Sequence, residues 1–83
     1  MPEELVGSVS GFFARPVVAG IDVTGKIKLG DTLHIVGHTT DIELVVNSMQ
    51  VNNANVSQAG PGDQVGVKVP DRVRYGDKVY RVS

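Results

Sequence analysis

The segment Gly20-Ile21-Asp22-Val23-Thr24-Gly25-Lys26 fills the first seven positions of a phosphate-binding loop, in which backbone amides cradle phosphate oxygens and the lysine reaches the outer phosphates. The eighth position fails, because Ile27 stands where a Ser or Thr must ligate Mg²⁺. Leu29-Gly30-Asp31 also forbids the helix whose N-terminus would face the phosphates. The segment reads instead as a β-hairpin turning at Thr24-Gly25 or Gly25-Lys26, with Lys26 and Lys28 in solvent, and no nucleotide is expected. Gly7-Ser8-Val9-Ser10-Gly11 has Val9 where a nucleophile elbow needs Ser, and no helix follows it. His34 and His38 are four apart, which aligns two ligands on a helix but separates them by about 13 Å on a strand, so one metal cannot be held by both directly. No catalytic residue, metal or cofactor is expected.

Binding chemistry is better represented. Lys68, Arg72, Arg74, Lys78 and Arg81 fall in the last 16 positions with only Asp71 and Asp77 between them. Arg15 follows Phe12-Phe13, and an arginine beside an aromatic ring can contact phosphate and stack on an unpaired base. Arg15, His34, Lys68, Arg72, Arg74 and Arg81 are therefore the candidate contacts for RNA or a protein partner. On a strand Phe12 and Phe13 must point to opposite faces, one of them into the core. The polar stretch Asn52-Asn53-Ala54-Asn55-Val56-Ser57-Gln58 is a second candidate surface, although asparagines also serve turns by tolerating left-handed backbone angles. The formal glycosylation sequon within it, Asn55-Val56-Ser57, reads as loop residues.

The elements that position these residues are strands. The chain has 83 residues, 10 of them Gly, with Lys+Arg 8 against Asp+Glu 9, a net charge of -1 and no Cys or Trp, so a single small domain must rest on a hydrophobic core alone. Balanced charge argues against a strongly basic nucleic-acid module, and the uncharged stretch Leu5–Ala14 is too short to span a membrane. Met1-Pro2-Glu3-Glu4 is acidic where a signal peptide needs basic residues, so an independent cytoplasmic monomer is expected. Six strands are expected, at Leu5–Phe13, Val17–Val23, Thr32–Val36, Ile42–Val51, Val65–Val69 and Lys78–Val82, separated by Gly, Pro and Asp turns. Ile42–Val51 is apolar in both registers, as in a long strand that bends at a barrel corner. Gly30-Asp31, Gly62-Asp63 and Gly76-Asp77 each precede a strand, where Gly supplies positive φ and the carboxylate accepts turn amides. Six short strands leave two edges to hide, which favours curling the sheet shut.

Gly20 to Gly37, Ala59-Gly60-Pro61-Gly62-Asp63-Gln64-Val65-Gly66-Val67 and Val73-Arg74-Tyr75-Gly76-Asp77-Lys78-Val79 together resemble the second domain of elongation factor Tu and its relatives, in order and spacing, over residues 5 to 82. The resemblance implies an all-β, six-stranded closed Greek-key barrel of the translation-factor type. It implies a module that contacts tRNA, ribosomal RNA or the ribosome, here without the GTPase domain. A similar barrel is appended to collagenase-like peptidases, where it is not the catalytic part. Two functions therefore stand: an RNA-associated translation-factor-like module, or an accessory barrel that docks to a larger enzyme. Binding through phosphates weakens steeply with salt, whereas an apolar protein interface does not.

Overall fold

The computed structural model describes residues 3–14, 17–52 and 54–82. Among them the chain is all-β, with ten strands and no helix. They are β1 Glu3–Ala14, β2 Val17–Val23, β3 Ile27–Lys28, β4 Thr32–Val36, β5 Asp41–Val45, β6 Met49–Val51, β7 Ala54–Val56, β8 Gln58–Ala59, β9 Gln64–Lys68 and β10 Lys78–Val82. Eight form an antiparallel sheet in the order β5-β4-β10-β1-β2-β9-β6-β7, and β3 pairs with β8 as a separate ribbon.

Period-two alternation sets the faces. In β2, Ala19, Ile21 and Val23 are buried while Val18, Gly20 and Asp22 are not, and in β9 Val65 and Val67 are buried between Gln64, Gly66 and Lys68. Ile21, Ile27, Leu33, Ile35, Met49 and Val79 are among the fully enclosed side chains of the core. β1 stays in register with both neighbours by bulging twice, at Val6 against β10 and at Ser10 against β2. Phe12 packs against the core and Phe13 is 62% exposed, the opposed orientation that adjacent strand positions require.

The expected closed six-stranded barrel is not what forms. The hydrogen-bonded order does not return on itself, and β5 and β7 remain its two edges. Closure is unnecessary because each edge is protected otherwise: β5 presents exposed Asp41 and Glu43, and β7 is three residues long. The expected single strand Ile42–Val51 is divided into β5 and β6. The break follows from Val46, whose amide donates to Asp31 O (2.9 Å) and whose carbonyl accepts from Gly30 N (2.8 Å), withdrawing it from the ladder. The stretch expected as a polar loop, 52–58, instead carries β7 and the start of β8, entered through Asn52 at φ 53. The hairpin expected to turn at Thr24-Gly25 or Gly25-Lys26 is absent, since β3 pairs with β8 and the Thr24 and Gly25 amides both donate to Val6 O.

The three Gly-Asp pairs build one device three times. In Lys28–Asp31, Gly60–Asp63 and Arg74–Asp77 the amide of Asp donates to the carbonyl three residues back (3.1 Å each), and Gly at the third position has φ +89 to +91. These are type II turns, which demand positive φ there. Each carboxylate then accepts the amide of the first turn residue, Lys28, Gly60 or Arg74, at 2.8 to 2.9 Å. Each Gly amide donates to, and each Asp carbonyl accepts from, one buried valine of a distant segment: Val46, Val23 and Val9 respectively. A turn and a core valine are thus clasped by two reciprocal hydrogen bonds.

The third clasp is the most enclosed. Asp77 is 6% exposed, and its carboxylate occupies the space that a Cβ on Gly37 would take. Asp77→Ala is therefore expected to cost about 1–3 kcal/mol by leaving the Arg74 amide unsatisfied, a fall in Tm of roughly 4–8 °C per kcal/mol in a domain of this size. Asp31→Ala and Asp63→Ala, at exposed turns where water replaces the carboxylate, should cost about 0.5–1 kcal/mol. Thermal melts of the three variants check the order.

Candidate functional site

The candidate cations do not converge. Arg15 lies outside the described residues. His34 sits on β4 opposite Tyr80 and Glu43, whereas Arg81 on β10 is opposite Leu33, so the two point to opposite faces of the sheet. Lys68 ends β9, separated from β4 in the ladder by β2, β1 and β10, and Arg72 and Arg74 lie between β9 and β10.

Three of these cations are already engaged. Arg81 Nη2 donates to Glu4 Oε1 at 2.8 Å, and its Nε is enclosed without a hydrogen-bond partner among the described residues. The Arg72 guanidinium lies over the Phe12 ring, 5.7 Å from its centroid, a cation–π contact that neither sequence spacing nor charge counting signals. His34 is held at both ends of its ring, with Nδ1 2.7 Å from Glu3 Oε2 and Nε2 2.6 Å from Asp41 Oδ1. The Asp41 and then the Glu3 hydrogen bond raise its pKa above the ordinary value, outweighing the opposing effect of partial burial. His38 is exposed in the β4–β5 connection. Lys68 and Arg74 are exposed and form no side-chain ion pair among the described residues.

A different surface is concave. An open groove of ≈ 580 Å³ crosses the outer face of β1, β2, β9 and β6. Gly11, Gly20 and Gly66 are cross-strand partners in one row, continued by Gln50 on β6. The exposed Phe13 ring and Val18, themselves a cross-strand pair, form one side, and Gln50, Asn52 and Gln64 supply amides. In the sequence Gly11 and Gly20 stand out only within the elbow-like and phosphate-loop-like segments, and Gly66 only as an alternating strand position. Their signal is a Gly at an outward position inside each of three strands, β1 carrying Gly7 as well, but only the register aligns them.

Comparisons with known proteins point away from translation. No family model matches the chain. It is 45% identical over 76 residues to an uncharacterized protease of Methanocaldococcus jannaschii, covering 90% of this chain and 19% of that protein. It is 31% identical over 78 residues to a collagenase of Porphyromonas gingivalis, covering 92% of this chain and 22% of that protein. The chain thus spans about a fifth of the length of these curated relatives. Among solved structures, the C-terminal domain of a Geobacillus thermoleovorans protein described as a U32 peptidase superposes with a TM-score of 0.89 at 17% identity, covering 96% of this chain and 93% of that one. Its selenomethionine form gives 0.87 at 18% identity, covering 92% and 96%.

The likeness to the second domain of elongation factor Tu is accordingly corrected, and with it the translation-factor and RNA-binding expectations. The relatives are peptidase and collagenase proteins, and the structural neighbours are peptidase C-terminal domains. The physical reason for the misreading is that its motifs were the Gly-Asp turns. Those residues satisfy a local backbone requirement and carry no information about a bound ligand.

The His34 cluster makes stability pH-dependent in a definite direction. Because the folded pKa is raised, its contribution is complete below the unfolded value near 6.5 and is lost as pH rises through the folded value. With Asp41 82% exposed, the contribution is expected to be about 0.5 kcal/mol, roughly 2–4 °C in Tm. His34→Gln should lower Tm by that amount at pH 5.5 and by less at pH 8.5. An equal loss at both values would show that protonation is not involved.

Proposed function

We propose that the chain is a non-catalytic accessory β domain of a peptidase, serving to dock to the catalytic portion or to hold substrate for it. The observation that carries the reading is the 45% identity over 76 residues to a segment making up only 19% of a protease. The chemistry of the described residues supports it. Peptide hydrolysis needs an activated nucleophile or a metal-bound water. His34, the histidine with close side-chain partners, spends both ring nitrogens on carboxylates. Among the described residues no three His, Asp or Glu side chains gather as metal ligands.

The test is deletion and replacement in the Methanocaldococcus jannaschii relative. Removing its aligned segment should leave kcat on a short chromogenic peptide within about twofold and raise KM for an unfolded protein substrate about tenfold. Inserting this chain in place of the segment should restore the lower KM. Hydrolysis of either substrate by the isolated 83-residue chain, or a deletion that changes neither parameter, would overturn the reading.

A further inference from the structure

We propose that the free edge of β5 accepts an extended polypeptide segment as an added antiparallel strand, one in which Lys or Arg alternates with apolar residues. Backbone direction is the first observation. β5 pairs with β4 on one side and ends the sheet on the other. The Gly37 amide donates to Thr40 O (2.7 Å) and the Val46 amide donates to Asp31 O (2.9 Å), so the positions flanking the strand turn polar groups toward β4. Hydrogen-bonding direction alternates along an antiparallel strand, which gives Ile42 and Leu44 to β4 and aims the amides and carbonyls of Asp41, Glu43 and Val45 at the open side. Alternate donors and acceptors thus stand in one row along five residues, about 17 Å.

Side chains then select the occupant. Asp41 and Glu43 are exposed on the outer face beside Val45, whereas Ile42 is half-buried against the core and Leu44 is buried. His34 engages one oxygen of Asp41, and Glu43 forms no ion pair among the described residues. Lys78 shares this face but is separated from Asp41 by Val36. A strand laid along the edge therefore gains from cations opposite Asp41 and Glu43, and from apolar residues opposite Ile42, Leu44 and Val45. In the antiparallel direction that segment runs apolar-apolar-basic-apolar-basic.

Other occupants fit less well. Two copies of β5 paired about Glu43 would set that carboxylate against its own copy, so the charges that guard the edge against self-association favour a basic strand. A polyanion meets like charge there. A helix satisfies its backbone groups internally and leaves the row of amides and carbonyls unused. β7, the opposite edge, is three residues long and carries no charge.

The inference deepens the accessory-domain reading by giving docking a chemistry, and rests on it only for the origin of the strand; binding is a property of the chain, so the two fail separately. The experiment is fluorescence anisotropy of a labelled, end-capped peptide carrying apolar-apolar-Lys-apolar-Lys with the 83-residue chain, at low and high salt, with amide hydrogen exchange mapping the site. The expected result is saturable binding that weakens with salt and slows exchange at Asp41, Glu43 and Val45, with Ile42 and Leu44 already slow in the free chain. Methylating the amides of the two peptide lysines keeps their charge but removes the hydrogen bonds, and should abolish binding. Glu43→Lys should weaken binding about tenfold and strengthen that of a peptide with Glu in place of Lys by about as much. Absence of binding, equal binding of the methylated or of a scrambled peptide, or protection elsewhere than on β5 would each overturn the proposal.

Discussion

Two backbone hydrogen bonds, made three times over, hold this fold together. In each clasp a turn glycine donates to a buried valine and the following aspartate carbonyl accepts from that same valine. The valines are Val9 in β1, Val23 at the end of β2 and Val46 between β5 and β6, so the clasps tie the loops before β10, β9 and β4 to distant parts of the core. A protein without cysteine has no covalent means of fixing such loops. The clasp does it with groups that every chain possesses, and it satisfies amides and carbonyls that would otherwise be buried without partners. The aspartate side chain closes the turn from the other side, which is why the pair is Gly-Asp and not Gly alone.

Half of each clasp was legible in the sequence. Gly before Asp before an alternating strand implies positive φ and a carboxylate turned back onto the turn, and all three sites have both. The other half was not legible, because nothing in Val9, Val23 or Val46 distinguishes it from other valines of this chain. Partnership across 15 to 68 residues is fixed by topology, not by local preference. The same blindness turned Ile42–Val51 into one strand, since the clasp that removes Val46 from the ladder is a long-range event. It also made closure look necessary. The charges of Asp41 and Glu43 were visible, but not that they lie on an edge.

Strand identity was easier to read than function for a related reason. β2, β4 and β10 coincide with the expected strands because alternation is local. The functional expectation relied on motifs whose residues answer to turn geometry, and on a count of cations. Counting misleads because a charge matters to a partner only when nothing nearer neutralises it. Glu4 takes Arg81, Glu3 and Asp41 take His34, and the Phe12 ring takes Arg72. Within the locally positive C-terminal stretch Arg72 and Arg81 are engaged in this way, whereas Lys68, Arg74 and Lys78 form no side-chain ion pair among the described residues.

The groove and the clasps belong to one construction. Of the strands beneath the groove, β1 contains Val9, β2 ends in Val23, and β9 begins immediately after Asp63. Two of the three clasps therefore anchor the floor directly: Val23 with Asp63 joins β2 to the entry of β9, and Val9 with Asp77 secures β1 next to its Ser10 bulge. A row of glycines would ordinarily be the softest part of a sheet, since glycine has the most conformational freedom to lose. Pinning its strands by backbone bonds removes that freedom from the floor of the groove.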